Sequence, residues 1–159
     1  MRLWRIATET RKYTAVDLSG TGASIEPGRW NEPGEFVVYC APTIAMAVIE
    51  TAAHMVGVGF PQNRFIVGIE VPAHVWAARE TLHVERLPAA WSAIPAGQTS
   101  VSIGSAWLSA ASAPILVLPS AIVPEETIAL INPKHALAAR IKAVAVRSFD
   151  YSKVFGRGL

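Results

Sequence analysis

The chain carries one isolated acidic residue, Glu50, in a segment that is otherwise free of formal charge. It is the only charged side chain from Phe36 through Asn63. A carboxylate is costly to bury unless it is paired, hydrogen-bonded or needed for function, and acids with unusual surroundings concentrate at active sites. Its neighbours at helical spacing are small or apolar residues and one histidine: Met46, Ala47, Ala53 and His54. Either Glu50 is a catalytic acid, or this stripe is the solvent face of a helix.

Arg29 is a second residue suited to chemistry, because it follows a glycine-rich loop in the run Gly28-Arg29-Trp30-Asn31. A guanidinium presents a rigid fork of donors that matches phosphate oxygens, and glycine lets a backbone approach a ligand closely. The run therefore indicates an anion site. The alternative is a surface turn in which Trp30 anchors the loop to the core.

Tyr39 lies near the end of the apolar run that precedes the segment of Glu50, and Ser120 directly follows a second apolar run. A tyrosine beside the segment of Glu50 can stack on a flat ligand or hydrogen-bond through its hydroxyl, although strand tyrosines more often serve packing. Ser120 follows an apolar run that ends in Leu118-Pro119, but it lacks the GxSxG context of a hydrolase nucleophile. Ser120 is thus a candidate pocket-lining hydroxyl, and covalent serine catalysis is not expected.

The histidines and the single cysteine predict no metal site. The four histidines lack HExxH or comparable spacing. Cys40 alone excludes an intramolecular disulfide and a multi-cysteine metal site, and it indicates a reducing compartment. Its place in an apolar run predicts an inert core thiol.

Composition defines the kind of molecule that must position these residues. The chain has 159 residues, of which 52% are hydrophobic and 16% charged, enough for one domain with a large core. The net charge of +2 is too small for the basic surface of a dedicated nucleic-acid binder. The N-terminus lacks a signal-peptide pattern, and the apolar stretch 36–49 is too short for a membrane helix. We therefore expect a cytoplasmic protein that binds neither nucleic acid nor membranes directly.

A strand followed by a helix is predicted around the isolated acid. The β-rich run Phe36–Ala41 predicts a central strand. Thr43 is a suitable N-cap for the helix that follows. That helix is predicted to reach Val56, with Gly57 and Gly59 ending it.

The remaining pattern favours strands over helices. Further strands are predicted at Leu3–Ala7, Arg64–Val71, Leu116–Leu118, Ile128–Ile131 and Ile141–Val146. The segment 8–27 is predicted to be irregular, and the alanine- and serine-rich segment 100–112 to be a short helix. Because strands outnumber helices and do not alternate regularly with them, we predict an α+β fold. Residues 1–159 would form a single domain with a mixed sheet.

The order of these residues resembles the RES-domain toxin family, which is named for signature arginine, glutamate and serine residues. The match consists of Trp4-Arg5-Ile6, Gly28-Arg29-Trp30-Asn31, Tyr39, Glu50, Leu118-Pro119-Ser120 and Ile131-Asn132-Pro133. It extends over about residues 3–146. The resemblance implies an ADP-ribosyltransferase-like fold and a bacterial toxin that consumes NAD+ as its substrate, with no other cofactor and no metal. It also implies a cognate Xre-type antitoxin that blocks the pocket, and it is consistent with a toxin homodimer in the complex.

The resemblance also implies roles for individual residues. Glu50 would stabilise the positive charge that develops on the ribose as the bond to nicotinamide breaks. Arg29 would clamp the pyrophosphate, Tyr39 would pack on the nicotinamide end, and Ser120 would hydrogen-bond the ligand. Two weaker additions to the NAD+ site are Arg5 and Asn132.

The resemblance leaves the acceptor of the ADP-ribosyl group open. Water would make the protein a glycohydrolase, phosphate a phosphorylase, and a protein side chain a mono-ADP-ribosyltransferase. A further alternative is an inactive module that binds a nucleotide or a partner. The tail, residues 147–159, departs from the family, because Phe149-Asp150 continues into Tyr151-Ser152-Lys153 instead of a proline–arginine sequence. The resemblance therefore does not extend to this tail any role in closing the pocket or contacting an antitoxin.

Overall fold

The protein is described by a computed structural model that covers residues 1–55 and 59–156. In chain order the strands are β1 (Arg2–Thr8), β2 (Val38–Cys40), β3 (Arg64–Glu70), β4 (Glu80–Thr81), β5 (Ile115–Pro119), β6 (Thr127–Ile131) and β7 (Lys142–Phe149). The α-helices are α1 (Thr21–Ile25), α2 (Ile44–Ala52), α3 (Ala73–Ala77), α4 (Gln98–Ala110) and α5 (Ser152–Phe155). Short 3-10 helices occupy Val84–Arg86, Ala89–Ser92 and Ala136–Arg140.

The strands are divided between two sheets. The first has three antiparallel strands in the order β1–β3–β7, and the second has four strands in the order β2–β6–β5–β4. Only the short β4–β5 pair of the second sheet is parallel. The sheets are linked where Trp4 of β1 and Ala41, just after β2, exchange two backbone hydrogen bonds of 2.8 Å.

Alternation along the strands produces two apolar layers. One face of the four-stranded sheet packs against the three-stranded sheet, with buried residues that include Leu3, Val38, Ile69, Val117 and Ile131. The opposite face packs against α4 and the 3-10 helix Ala89–Ser92, with Trp30, Trp91, Trp107, Leu116 and Leu130 in the cluster. Because a residue and its second neighbour in a strand share a face, β2, β5 and β6 line both layers.

Helix α2 follows β2 after a short turn and packs beside β1. Its N-cap is Thr43, whose Oγ1 accepts from the Met46 N–H at 3.1 Å. The face of Met46 and Ala47 is buried against Ala41 and the outer face of β1. The predicted cap is confirmed, but the helix ends at Ala52. The predicted end near residues 56 and 57 lies outside the described residues.

The α+β class is confirmed, and each predicted strand is present. Three details of the prediction are wrong. The strands form two linked sheets instead of one, and the segment 8–27 contains the short helix α1. The third is β2, which is an edge strand and not a central one. It is nevertheless buried, because the chain after it crosses to β1 of the other sheet.

Within the described residues, no helix is both long and apolar enough to span a membrane.

Candidate active site

Glu50 and Ser120 form the centre of the candidate site. Glu50 is half-buried near the C-terminal end of α2, and Ser120 is fully buried directly after β5. The Ser120 Oγ donates a hydrogen bond of 2.5 Å to the Glu50 Oε1. The fold thus brings together two of the predicted site residues from distant parts of the chain.

The hydroxyl of Ser120 is itself oriented by the backbone of the following turn. Its Oγ accepts hydrogen bonds from the N–H groups of Ile122 at 3.1 Å and Val123 at 3.0 Å. A serine hydroxyl has one proton to donate, and with its acceptor positions occupied that proton is directed to Glu50. No described residue donates to the other carboxylate oxygen, Glu50 Oε2, so this oxygen is available to a ligand.

The helical stripe that contains Glu50 spans the boundary between core and solvent. Met46 and Ala47 are buried, whereas Ala53 and His54 are exposed. The imidazole of His54 contacts the backbone carbonyl of Glu50 at 2.8 Å and not its carboxylate. The end of the stripe with Met46 and Ala47 is therefore buried, as expected for a functional acid in apolar surroundings. The end with Ala53 and His54 is a solvent face, as the alternative predicts.

Arg29 is anchored through one of its guanidinium nitrogens. Its Nη1 donates to the carbonyl oxygens of Trp91 at 3.0 Å and Ala93 at 2.8 Å. These carbonyls lie at the C-terminal end of the 3-10 helix Ala89–Ser92, where backbone acceptors lack helical partners. A guanidinium has five N–H donors, so Nη2 and Nε keep donors for an anion.

The carboxyl of Glu50 lies near enough to Arg29 to affect the pKa of the guanidinium. Burial lowers the pKa of the Arg29 guanidinium, while the nearby carboxyl of Glu50 and, less strongly, Tyr39 raise it. The two groups do not form an ion pair, since the one found within 4.0 Å in the described part of the chain joins Arg2 and Glu70. The site therefore offers a cationic clamp and a carboxylate as separate groups.

Tyr39 contacts the Arg29 loop through its hydroxyl. The oxygen accepts from the Trp30 N–H at 3.0 Å and donates to Asn31 Oδ1 at 2.8 Å. Burial raises the pKa of this phenol well above its ordinary value. The Tyr39 ring also lies so close to Gly28 that a Cβ there would be 2.7 Å from its Cζ. The hydroxyl is thus bonded within the protein, and the ring packs against Gly28 and the apolar layer that contains Trp30.

The loop that carries Arg29 is fastened to α4 by contacts that the sequence pattern did not reveal. The Ser105 Oγ donates to Glu35 Oε2 at 2.7 Å, and the Gln98 Nε2 donates to Glu32 Oε1 at 2.9 Å. Gly104 of α4 lies against the Trp30 backbone, where a Cβ would be 1.8 Å from the carbonyl oxygen. Glycine disfavours a helix interior, but Gly104 has no Cβ and therefore permits this close approach.

Arg5 lies apart from the Glu50 group. Its neighbours in β1, Leu3 and Ala7, face the core between the sheets, whereas α2 packs on the opposite face of β1. The Arg5 Nη2 donates only a long hydrogen bond of 3.4 Å to the Ala15 carbonyl. Desolvation lowers the pKa of this guanidinium, and the nearby Cys40 is the largest opposing influence.

Asn132 is buried at the end of β6, far along the sheet from Ser120. Its Nδ2 donates to the Leu108 carbonyl at 3.0 Å, and its Oδ1 accepts from the Lys134 N–H at 3.1 Å. The flanking residues 131 and 133 line a surface cleft of about 450 Å³ at this end of the sheet. The structure therefore brings together Arg29, Tyr39, Glu50 and Ser120, but does not place Arg5 or Asn132 with them.

Trp30 and Cys40 occupy the structural positions predicted for them. Trp30 is 1% exposed and stacks on Trp91, with ring centroids 6.0 Å apart. Cys40 is buried in β2, and its Sγ donates to the Ala129 carbonyl at 3.2 Å. Among the described residues no group of three or more histidine, cysteine or acidic side chains is arranged to hold a metal ion.

Comparisons with known proteins give a consistent family match. A family described as the RES domain matches residues 2–152. A protein of Sphingobium sp. (strain YBL2), described as a Prs ADP-ribosylating toxin, is 50% identical over 148 residues, which are 93% of this chain and 92% of that protein. A protein of Yersinia enterocolitica described as Toxin Res is 33% identical over 135 residues, covering 85% of this chain and 86% of that protein.

A solved structure supports the fold. The crystal structure of the M. tuberculosis MbcT-MbcA toxin-antitoxin complex contains a chain that aligns with a TM-score of 0.64 at 15% sequence identity. The alignment covers 92% of this chain and 84% of that chain. At this level of identity the likeness concerns the path of the backbone, which agrees with the predicted fold.

Proposed function

Because the chain belongs to the RES domain family, we propose that it is a toxin that cleaves the bond between nicotinamide and ribose in NAD+. One structural observation carries this proposal. A half-buried carboxylate, Glu50, is oriented by the fully buried Ser120 and lies near the separately anchored guanidinium of Arg29. These are the two charged groups that the reaction needs, one for the sugar and one for the phosphates.

Glu50 acts on the sugar. As the C–N bond breaks, nicotinamide leaves with the bonding electrons, and positive charge develops on the anomeric carbon and the ring oxygen. A fixed carboxylate stabilises that charge more strongly in the transition state than in the substrate, which accelerates the reaction. The oxygen that Ser120 does not hold, Oε2, is free to accept from a ribose hydroxyl or to face the developing charge.

Arg29 binds the pyrophosphate through the donors that the two carbonyls leave free. Anchoring through Nη1 fixes the guanidinium plane before the ligand arrives, so less side-chain entropy is lost on binding. The Tyr39 ring packs on the nicotinamide end, because its hydroxyl is already used within the protein.

The acceptor completes the reaction. The nucleophile adds to the anomeric carbon and loses a proton, so water yields ADP-ribose, phosphate yields a phosphorylated ADP-ribose, and a protein side chain yields a modified protein. The name of the 50% identical relative supports a protein acceptor. We take mono-ADP-ribosylation of a protein as the second candidate, beside hydrolysis or phosphorolysis.

The complex proposed for the cell has two components. The toxin acts in the cytoplasm on NAD+ as substrate, without a metal or a further cofactor, and an antitoxin protein neutralises it. The M. tuberculosis chain with the similar fold was solved in a toxin-antitoxin complex, which supports this partnership. An Xre-type antitoxin and a toxin homodimer within the complex are the finer expectations.

The decisive experiment measures free nicotinamide. Purified protein is incubated with NAD+ that carries a label in its adenylate part. Three samples are compared: NAD+ alone, NAD+ with phosphate, and NAD+ with purified Prs, the protein mentioned in the name of the 50% identical relative. Nicotinamide release by the wild type, with a loss of about 100- to 1,000-fold in Glu50→Gln, is the expected result. Label on Prs would select the transferase, and labelled ADP-ribose or its phosphate the other two reactions. Tight NAD+ binding without any nicotinamide release would instead select the inactive binding module.

A further inference from the structure

We propose that Asn31 is a positioning residue that holds Arg29 in the geometry needed to clamp the pyrophosphate. Asn31 is 1% exposed, and its side chain is buried beneath the loop that carries Arg29. The role rests on the proposed function of Arg29, because it matters only if this guanidinium binds the substrate.

The side-chain oxygen of Asn31 holds the backbone N–H groups of the two residues that flank Arg29. Its Oδ1 accepts from the Gly28 N–H at 2.9 Å and from the Tyr39 hydroxyl at 2.8 Å. The oxygen of that hydroxyl in turn accepts from the Trp30 N–H at 3.0 Å. The N–H groups of Gly28 and Trp30, on either side of Arg29, are therefore bonded to a single oxygen atom, the first directly and the second through the Tyr39 hydroxyl.

The amide nitrogen of Asn31 fixes the rest of the loop. Its Nδ2 lies within hydrogen-bond distance of the carbonyl oxygens of Ala23 at 2.9 Å, Glu32 at 3.1 Å and Glu35 at 3.2 Å. A carboxylate cannot donate to these carbonyls, and an alcohol cannot span both sides of the loop. The Asn31 amide therefore supplies both the acceptor and the donors that hold this loop.

The position of the Arg29 backbone determines whether the guanidinium can reach the carbonyls that anchor it. The guanidinium bonds to carbonyls more than sixty residues away, and this contact forms only if the Arg29 Cα is held at the right place. A displacement of about 1 Å of a positioned group lowers reaction rates by up to about 100-fold. Loss of Asn31 should thus act through Arg29.

The test is a double-mutant cycle on NAD+ cleavage with Asn31→Ala and Arg29→Ala. We expect Asn31→Ala to lower kcat/KM roughly 10- to 100-fold, mainly through a higher KM for NAD+. The double variant should be no worse than Arg29→Ala alone. Multiplying effects of the two substitutions, or an Asn31→Ala enzyme with wild-type KM, would overturn the proposal.

Limited trypsin digestion provides a readout that does not depend on NAD+. Trypsin cleaves after arginine, and the anchored Arg29 should resist it in the wild type. We expect Asn31→Ala to release a fragment that ends at Arg29. The matched control is Ile69→Val, a buried change in β3 that lowers stability without touching the loop and should give neither the cleavage nor a change in KM.

The two assays separate the possible failures. If the wild type releases no nicotinamide, the proposed function fails, while cleavage at Arg29 still reports whether Asn31 holds the loop. If Asn31→Ala resists trypsin at this site as well as the wild type does, the positioning role fails even where NAD+ cleavage is established.

Discussion

A serine hydroxyl has a single proton, and Ser120 directs its proton to the Glu50 carboxylate. It cannot donate to NAD+ at the same time. The family resemblance gave Ser120 a ligand contact, whereas the observed bonds favour a role in orienting the acid. Sequence alone could not distinguish these roles, because the partners of the hydroxyl lie seventy positions away and in the backbone of the next turn.

Substituting Ser120 by alanine tests this role at the residue scale. Because hydrogen bonds to charged groups contribute about 1.5–3 kcal/mol, we expect kcat to fall about 10- to 100-fold with little change in the KM for NAD+. The part-buried N–H of Val123 would lose its acceptor, so the free energy of unfolding should drop by about 0.5–1.5 kcal/mol. Steady-state kinetics and chemical denaturation measure the two effects.

The matched control is Ser148→Ala, because Ser148 is exposed on β7 and should leave both quantities unchanged. A higher KM with an unchanged kcat in Ser120→Ala would mean that the hydroxyl contacts the substrate.

Glu50 itself could be found from the sequence, because a charged side chain is costly to bury and this one lies in an apolar segment. A lone acid in a long apolar segment either lies at the surface or has a partner, and here it has Ser120 on one side and an open oxygen on the other. Asn31 gave no such signal. Its importance comes from five polar contacts to a loop and a tyrosine, and no spacing rule predicts that set.

At the scale of elements, the strands were predictable from β-branched runs, but their arrangement was not. Pairing depends on side chains far apart in sequence, and the division into two sheets follows from the crossover at Ala41. The position of Arg5 illustrates the same limit. Alternation shows that it shares a face with Leu3 and Ala7, but only the packing shows that this face is opposite to the one that contacts α2.

The contact between α4 and the Arg29 loop gives a second prediction. Gly104→Ala places a methyl group against the Trp30 carbonyl, and this overlap should outweigh the better helix propensity of alanine. We expect the free energy of unfolding to fall by about 1–3 kcal/mol and the KM for NAD+ to rise as the loop is displaced.

Gly97→Ala is the control for this substitution, since Gly97 precedes α4 at a φ of −103° with no atom near its Cβ position. Denaturant melts and kinetics on both variants make the comparison. Equal stability of the two would contradict the proposed contact.

Strand β2 gives a third prediction, which concerns pH. Burial raises the pKa of the Cys40 thiol to about 12, and the nearby Arg5 opposes this only in part. Because the thiolate is the reactive form, the native protein should not react with iodoacetamide at pH 8. A raised folded pKa favours the folded state below the ordinary thiol pKa of 9.0, and this contribution is lost as the pH rises towards about 12.

Mass spectrometry after alkylation, with and without denaturant, measures the reactivity of Cys40. Rapid labelling of the folded protein would show that β2 opens readily, whereas labelling only in denaturant agrees with a buried thiol.

At the scale of the whole molecule, the site exists only when several distant segments are assembled. Arg29 comes from a loop fastened to α4, Tyr39 from β2, Glu50 from α2, and Ser120 from the end of β5. The two apolar layers share strands of the same four-stranded sheet, so loss of either layer disrupts the support of the site. Binding of NAD+ should therefore be linked to global unfolding and not to a local transition.

This linkage can be measured as a shift in melting temperature. The Glu50→Gln variant should consume NAD+ about 100- to 1,000-fold more slowly. It should still bind NAD+, because the amide keeps an oxygen that accepts from Ser120. At a concentration about 100 times Kd, a ligand stabilises the folded state by about 2.7 kcal/mol. For a chain of this size the melting temperature should rise by roughly 5–10 °C.

Adding Arg29→Ala to Glu50→Gln should remove most of that rise at the same NAD+ concentration, since the pyrophosphate would lose its clamp. Differential scanning calorimetry over a series of NAD+ concentrations gives both the shift and the apparent Kd. An equal rise in the single and double variants would mean that NAD+ binds elsewhere than between Arg29 and Glu50, and the cleft beside Asn132 would then be the first place to examine.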